Sequence, residues 1–263
     1  MMTVSTRGPP LPSLAFITFA PILSMANMET LIEMAKREIR DETVKSTVLD
    51  ILRNPRITFA DVEPKISPDE APAAPKAHHS YPGGLIDHTI GVTILAKHFS
   101  NAFSELYGYQ VRRDYIIGAA LLHDIFKYYQ YEYDEVTGGF RQREDWYLQH
   151  DFALIAELSH RHAPEYLIRV CAEAHGFNVL ATPEGQIVHL ADSTDARFAA
   201  KIQDIVYRAC VDLERETDGD ILAVKAYYAI VRRHSLYELA RIAQEKGTKE
   251  LRAFIKRELL GGQ

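Results

Sequence analysis

Apolar residues along this chain recur mostly at steps of three and four, which is the spacing of one face of an α-helix. Between Met28 and about Arg53 this spacing predicts one long helix or two short ones. Further helices are predicted near residues 85–107, 112–128, 145–160, 164–174, 184–215, 219–246 and 248–260. Because this spacing dominates the chain, the sequence predicts an all-α fold.

Two stretches interrupt the helical pattern. Residues 54–82 contain six prolines, and proline lacks the backbone N–H that a helix interior needs. Residues 54–81 are therefore predicted to form an extended connector on the surface, closed by the turn-forming sequence YPGG. Residues 129–144 alternate aromatic and charged side chains around Gly138-Gly139, which predicts a short β-hairpin excursion or an ordered loop.

The first 27 residues have a different character. They are apolar but broken by Pro21, and the apolar run is shorter than the roughly 20 residues that span a membrane. The sequence METLIEMAKREIRDE, from Met28 onward, has the pattern of an amphipathic helix start. We therefore expect residues 1–27 to be a disordered or over-extended leader outside the fold rather than an export signal.

Composition narrows the functional classes. The 263 residues are 47% hydrophobic and 25% charged, as in an ordinary globular protein with a substantial core. The net charge of −6 argues against an electrostatic grip on a long nucleic acid, since such proteins usually carry a basic surface. The two cysteines, Cys171 and Cys210, form no Cys-x-x-Cys pair. This argues against a thiolate zinc site and fits a reducing cytoplasm.

Six histidine and aspartate residues lie among residues that should face the core: His88, His123, Asp124, His150, His175 and Asp192. A single histidine there is usually a hydrogen-bonded core residue. A buried carboxylate without a partner costs several kcal/mol, so a shared cation is the simplest way to keep both aspartates charged. Imidazole and carboxylate ligands together suit a divalent ion such as Fe²⁺, Mn²⁺ or Zn²⁺.

The adjacent pair His123-Asp124 is followed by Lys127. Neighbouring helix positions diverge by about 100°, so the pair can straddle one ion, or Asp124 can reach past it to a second ion. Lys127 lies one turn beyond His123. A lysine would repel a bare metal ion but would suit an anion bound to it, which points to phosphate chemistry.

Five segments in this order resemble the HD superfamily of metal-dependent phosphohydrolases: HHSYPGGLIDHT, LLHDIFK, LQHD, EAHG and LADSTDA. Together they span about residues 78–200. The resemblance implies an HD-domain helical bundle with His88, His123, Asp124 and Asp192 as its core metal site. It also implies that His150 and His175 belong to the subset that binds two metals, with Fe²⁺ or Mn²⁺ as the expected ion. Asp124 and Lys127 are the expected catalytic residues.

Two groups within the superfamily are most similar. One is the archaeal dihydroneopterin 2′,3′-cyclic phosphate phosphodiesterases of pterin biosynthesis, whose likeness extends through the connector to the N-terminal helix. The other is the 3′-5′ exoribonuclease-like group, which usually adds an N-terminal OB-type module; the stretch before residue 78 is too short for one. The resemblance therefore implies a small-molecule cyclic phosphate as substrate, with RNA as the alternative. The resemblance also leaves open whether the protein forms a homo-oligomer.

Further residues are candidates for substrate binding. Four are expected to contact phosphate or to orient ligands: His78, His79, Asp195 and Arg141. Arg143 could also contact phosphate or lie on a solvated edge. The tyrosines at 128, 129, 131 and 133, with Trp146, form either a stacking wall for a flat heterocycle or an aromatic patch that stabilises the hairpin.

The expected division of the chain follows from these assignments. After the leader at 1–27 come an N-terminal helix and proline-rich connector at 28–77. The HD catalytic domain is expected at 78–215, with C-terminal helices packed on it at 216–263.

Overall fold

The computed structural model describes residues 26–176 and 182–261, and its architecture in those ranges is helical. Its helices are α1 (Met28–Glu38), α2 (Glu42–Arg53), α3 (Gly84–Tyr107), α4 (Arg113–Leu122), α5 (His150–His160), α6 (Glu165–Glu173), α7 (Pro183–Glu216), α8 (Ala223–Val231), α9 (Leu236–Lys246) and α10 (Thr248–Leu260). Strands β1 (Tyr131–Asp134) and β2 (Gly139–Gln142) form one antiparallel hairpin. The predicted all-α class with a hairpin excursion is confirmed. Most of the expected leader lies outside the described residues.

The helices meet around α3, α4 and α7. Helix α3 packs against both α4 and α7, α2 and α6 pack on α4, and α8 to α10 pack together against α7. Helix α4 is apolar around its circumference and buried from Ile116 to Leu122, as expected for a helix in the centre of a bundle. A rigid central helix can hold the polar residues that follow its last turn in fixed positions.

The segment from Met28 to Arg53 forms the two short helices rather than one long one. Asn27 caps α1 with its side chain, which accepts a hydrogen bond from the Thr30 N–H. Asp41 caps α2 in the same way, accepting from Thr43 and Val44. The start of regular structure at Met28 agrees with the sequence pattern.

Three helix boundaries differ from the prediction. The helix predicted at 112–128 ends at Leu122, because the chain turns at 123–126 and continues as a short 3₁₀ turn over Lys127–Gln130. The helix predicted at 145–160 begins only at His150, and the one predicted at 219–246 is divided into α8 and α9. Apolar periodicity continues through tight turns, so it does not locate these breaks.

The proline-rich connector is non-helical and lies largely at the surface, as predicted, but some of its side chains reach the core. Ile57, Ile66, Ala71 and Ala73 are buried in the core. The connector is tied down by side chains from the domain: Tyr129 accepts a hydrogen bond from the Ile57 N–H, and Glu157 accepts from Thr58. Proline spacing forbids a helix but says nothing about which side chains become buried.

Most of the aromatic residues near the hairpin pack within it or against the connector, as in the second of the two interpretations. Tyr131 is the exception, since burial raises its pKa and the charges of Lys127 and Asp124 also act on it. Tyr128 donates a hydrogen bond to the Pro55 carbonyl, and Trp146 packs on Tyr129 with ring centroids 5.5 Å apart. Tyr133 stacks on Phe140 across the strands. These rings join connector and hairpin, so they are occupied with packing rather than lining a site.

Glu38 joins α1 to the central helices through Arg113 of α4, 2.6 Å away, and Lys97 of α3, 2.9 Å away. Burial favours the neutral acid, but hydrogen bonds from Lys97, Arg37 and Arg113 outweigh it and lower the pKa of Glu38 to about 2. Because the folded-state pKa is depressed, the stabilisation is present above the ordinary pKa of 4.5 and is lost as the pH falls towards 2.

Glu38→Gln should therefore lower the free energy of unfolding by roughly 1–2 kcal/mol near neutral pH, and this deficit should shrink towards about pH 3. Urea denaturation at both pH values measures it. The exposed Glu42→Gln is the matched control, since a surface pair contributes about 0.5 kcal/mol or less. A Glu38→Gln deficit that is the same at both pH values would contradict the assignment.

Candidate metal centre

The six predicted ligands meet at one place because five segments end or cross there. His88 projects from the first turns of α3, and His123 and Asp124 follow the end of α4. His150 begins α5, and Asp192 lies in the third turn of α7. His175 follows the end of α6. In a continuous helix, the side chains of His123 and Asp124 would point about 100° apart. The chain leaves the helix after Leu122, so both side chains can reach one site.

Asp124 is the centre of the cluster and is fully buried. Its Oδ2 lies 3.3 Å from His88 Nε2 and 3.5 Å from His123 Nε2. Its Oδ1 faces the other way, 3.1 Å from His150 Nε2 and 3.4 Å from His175 Nε2. The two oxygens thus belong to two separate groups of nitrogen atoms, each compact enough to hold an ion.

Asp192 lies opposite Asp124 and also spans both groups. Its Oδ1 is 3.1 Å from His88 Nε2 and 3.9 Å from His123 Nε2. Its Oδ2 is 3.3 Å from His175 Nδ1. Two carboxylates therefore face four imidazoles within a small buried volume.

The protonation of three imidazoles follows from their outer hydrogen bonds. The Nδ1 atoms of His88, His123 and His150 lie 2.7, 2.8 and 2.8 Å from the Asp195 carboxylate, the Ala120 carbonyl and the Gln130 amide oxygen, respectively. These oxygens accept, so each Nδ1 carries a proton and each Nε2 faces the cluster, where it can hold a proton or present a lone pair to a cation. Such outer bonds are typical of metal-binding histidines.

The inward-facing atoms fit a cation. Nε2 of His88 and Nε2 of His123 are 3.4 Å apart, and those of His150 and His175 are 3.1 Å apart. Lone pairs at such distances repel unless a proton or a cation lies between them. Among the described residues, neither oxygen of Asp124 has a partner in hydrogen-bond geometry, although charged groups surround it. The donor set suits divalent metal binding.

Electrostatics in the cluster support the same conclusion. Burial opposes a charged imidazole, yet Asp124, Asp192 and Asp195 outweigh it and raise the pKa of His88 well above its usual value. Burial also opposes a charged Asp124, but Lys127 and the surrounding histidines hold the pKa of its carboxyl well below its usual range. The carboxylates therefore stay ionised and attract positive charge to the space between the imidazoles.

Comparison with known proteins identifies the family. The HD domain matches residues 85–197. Over 193 residues the chain is 41% identical to the dihydroneopterin 2′,3′-cyclic phosphate phosphodiesterase of Methanocaldococcus jannaschii, an alignment covering 72% of this chain and 75% of that enzyme. This chain belongs to the HD-domain family of metal-dependent phosphohydrolases. No solved structure gives a significant match. No helix within residues 26–176 and 182–261 is long and apolar enough to cross a membrane.

Lys127 lies at one side of the six candidate ligands, which we call the HD cluster. Its ammonium lies 2.5 Å from Asp124 Oδ2, and only 11% of its side chain is exposed. Burial disfavours its charge, but the carboxylate of Asp124 outweighs burial and raises the pKa of Lys127. The side chain is thus a fixed positive charge at the edge of the metal cluster, suited to an anionic ligand.

His78, His79 and Asp195 all lie next to His88. The ring of His78 is 4.9 Å from that of His88, centroid to centroid. His79 is buried, with Nε2 3.6 Å from Asp195 Oδ2 and 3.2 Å from the Tyr237 hydroxyl. Half-buried His78 is thus beside the cluster, whereas His79 and Asp195 hold His88 in place.

Arg141 and Arg143 do not join the HD cluster within the described residues. Arg141 lies on the exposed face of the hairpin, 2.7 Å from Glu132. Arg143 is buried and donates to the carbonyls of Tyr129 and Glu63. Neither arginine contacts a predicted ligand, and both make their contacts within or beside the hairpin.

Three further residues support the cluster from outside. Gln130 fixes the orientation of His150, and His189 contacts the Ala174 carbonyl, next to His175, at 3.1 Å. Gly91 lies one turn after His88, where a Cβ would come within 2.2 Å of Asp195 Oδ1. A glycine in the middle of a helix is unfavourable by about 1 kcal/mol relative to alanine, which is the one sequence clue to this contact.

Gly91→Ala should push Asp195 away from His88 and weaken metal binding by roughly 10–100-fold, as removal of an outer hydrogen-bond partner does. The substitution should not lower the melting temperature much, because alanine favours the helix. Isothermal titration of metal-free protein with Mn²⁺ measures the effect, and Asp195→Asn, which keeps the shape, should give a similar loss. Unchanged Mn²⁺ affinity in both variants would contradict the role given to Asp195.

Proposed function

We propose that the substrate of this HD-domain phosphodiesterase is 7,8-dihydroneopterin 2′,3′-cyclic phosphate, an intermediate of pterin (tetrahydromethanopterin) biosynthesis. The support is the 41% identity to an enzyme of that name, along three quarters of its length. The compact HD cluster beside a buried lysine fits a small anionic phosphodiester. The two free, buried cysteines, Cys171 and Cys210, fit a cytoplasmic location.

The proposed ligands form two sets that share Asp124. His88, His123, Asp124 and Asp192 would hold one divalent ion, and His150, His175 and Asp124 would hold the second, with Asp192 beside it. Fe²⁺ or Mn²⁺ is the proposed ion, because both accept mixed imidazole and carboxylate ligands. When bound, such ions supply a water of lowered pKa and neutralise charge on phosphate oxygens.

The protein's own groups position the phosphate. Lys127 would contact a non-bridging oxygen and stabilise the charge that grows there as water attacks phosphorus. Asp195 would keep the His88 ring oriented, and His78 would border the phosphate from the α3 side. Water adds across one phosphorus–oxygen bond of the cyclic ester; the released oxygen takes a proton and stays attached to the molecule. The product is a phosphomonoester.

The test uses full-length protein reconstituted without oxygen with Fe²⁺ or Mn²⁺. The expected result is conversion of the pterin cyclic phosphate to a phosphomonoester, followed by ³¹P NMR, with little release of nucleotides from single-stranded RNA. Degradation of RNA from its 3′ end, with the pterin cyclic phosphate left intact, would contradict the proposed substrate and favour the exoribonuclease alternative.

A further inference from the structure

Helix α9 lies outside the part of the chain that matches the HD domain, yet one of its side chains reaches towards the HD cluster. The match ends at residue 197, whereas α9 begins at Leu236 and packs against α7, the helix that carries Asp192 and Asp195. Tyr237 is the second residue of α9, and its hydroxyl lies 3.2 Å from Nε2 of His79. No step proposed above uses this hydroxyl.

The backbone holds His79 in a fixed and strained position. Its φ angle is 44°, in a region that residues with a Cβ adopt rarely. The His79 carbonyl accepts a hydrogen bond from the Ala73 N–H at 3.2 Å, and a Cβ at Gly84 would come within 2.0 Å of the same carbonyl. The side chain is 1% exposed. Strained residues persist where the surrounding structure fixes them, and they concentrate at functional sites.

The imidazole of His79 lies between Tyr237 and Asp195. Its Nε2 is 3.6 Å from Asp195 Oδ2, the oxygen that accepts a hydrogen bond from His88 Nδ1 at 2.7 Å. A carboxylate oxygen only accepts hydrogen bonds, so it favours a proton on this Nε2. The other ring nitrogen, Nδ1, lies 3.2 Å from Nδ1 of His78, which can donate to it. The Nε2–H group therefore faces two acceptors, the hydroxyl oxygen of Tyr237 and the carboxylate of Asp195.

The two distances show which contact orients the His79 ring. The 3.2 Å to the Tyr237 hydroxyl is within hydrogen-bond range, whereas the 3.6 Å to Asp195 exceeds it. The contact with Asp195 is therefore electrostatic, and its strength depends on where the ring points. The tyrosine hydroxyl holds the ring at a distance that leaves Asp195 Oδ2 its short hydrogen bond with His88.

Asp195 has little freedom to adjust on its own. Its Oδ1 faces Gly91 of α3, where even a Cβ would come within 2.2 Å, and its Oδ2 lies between His88 and His79. Without the tyrosine hydroxyl, Oδ2 would be the nearest acceptor for the His79 N–H among the described residues. A closer N–H would draw the charge of Oδ2 away from His88. Because the outer partner of a metal-binding histidine raises its basicity, His88 would become a weaker ligand.

We propose that Tyr237 is a positioning residue of the metal centre. Through His79 and Asp195, its hydroxyl preserves the outer hydrogen bond of His88. The proposal rests on the proposed function for the role of His88 as a metal ligand. It makes α9 part of the metal centre, although this helix lies beyond the matched HD domain, and it gives the strained backbone at His79 a functional role.

Tyr237→Phe removes only the hydroxyl and should weaken the binding of one Mn²⁺ ion about 2- to 10-fold, the range for loss of one hydrogen bond. Isothermal titration of the metal-free, full-length protein measures this without any substrate. Tyr227→Phe is the matched control and should bind Mn²⁺ as the wild type does, since the buried Tyr227 hydroxyl has no hydrogen-bond partner among the described residues.

Two further variants separate positioning from a purely structural role. His79→Leu should weaken Mn²⁺ binding roughly 10–100-fold, and His79→Gln, which keeps a donor near the same place, should recover part of that loss. In an Asp195→Asn protein, the added Tyr237→Phe change should have no further effect, because the path to His88 is already broken. Additive losses in this double variant would overturn the proposal.

Unchanged Mn²⁺ affinity in Tyr237→Phe would also overturn it. A raised KM for the cyclic phosphate at unchanged Mn²⁺ affinity would do the same, since the hydroxyl would then be a substrate contact. Full Mn²⁺ binding by His88→Ala would refute the proposed ligand set and this proposal with it. Weaker Mn²⁺ binding by Tyr237→Phe, in a protein that leaves the pterin cyclic phosphate intact, would uphold the positioning role and refute the proposed substrate.

Discussion

Asp124→Ala is expected to abolish phosphodiesterase activity and to reduce bound metal to less than one ion per chain. Both oxygens of Asp124 are buried and each faces a different pair of imidazoles, so a single substitution removes a ligand from both proposed ion sites. The loss should exceed the roughly 10–100-fold typical of residues behind the ligands. Metal analysis after anaerobic Mn²⁺ loading, together with kcat on a cyclic phosphodiester, measures both effects.

Folding must be separated from metal loss in this variant. Asp124→Asn preserves the side-chain shape and should also lose activity, while the circular dichroism spectrum stays helical. Asp212→Ala, near the exposed end of α7, is the matched control and should keep both metal and activity. If Asp124→Ala retained full metal content and turnover, the assignment of the cluster would fail.

Lys127→Met is expected to lower kcat about 10²–10³-fold while metal binding is retained, because the lost interaction is with charge developing on phosphate. Metal affinity should stay the same or increase, since the ammonium 2.5 Å from Asp124 competes with a cation for that carboxylate. Steady-state kinetics and Mn²⁺ titration of the same preparation measure the two quantities.

Lys127→Arg provides the comparison, because it keeps the charge but changes the position of the donor atoms. It should recover part of the kcat lost in Lys127→Met. A Lys127→Met enzyme that lost its metal, with unchanged kcat per bound ion, would show that the lysine supports the cluster rather than the phosphate.

Periodicity was sufficient to predict the helical class and most helix positions. It could not locate the end of α4, because Ile125 and Phe126 continue the apolar pattern while the backbone turns. The proline pattern predicted a connector on the surface, but not that Ile57 and Ile66 within it are buried. Burial of an irregular segment depends on the shape of the surface beneath it, which local sequence does not encode. The division into domains stays a prediction.

The sequence predicted the candidate metal ligands better than it predicted the residues around them. The six ligand candidates occupy segments far apart in the chain, and the structure brings them together. Arg141 was a weaker candidate, because alternation in a hairpin cannot tell which strand face approaches a site, and it pairs with Glu132 instead. Gly91 and Gln130 act through contacts 104 and 20 residues away along the chain. No local motif reports such contacts.

If the HD cluster holds the divalent metal on which phosphodiester hydrolysis depends, hydrolysis must follow metal occupancy. The most direct test is anaerobic titration of chelated, metal-free protein with Mn²⁺ or Fe²⁺ while bound metal and hydrolysis of the cyclic phosphate are measured together. We expect no hydrolysis without metal, activity that rises with occupancy, and saturation near two ions per chain. Full activity in the metal-free protein, or hydrolysis independent of occupancy, would contradict this role of the cluster.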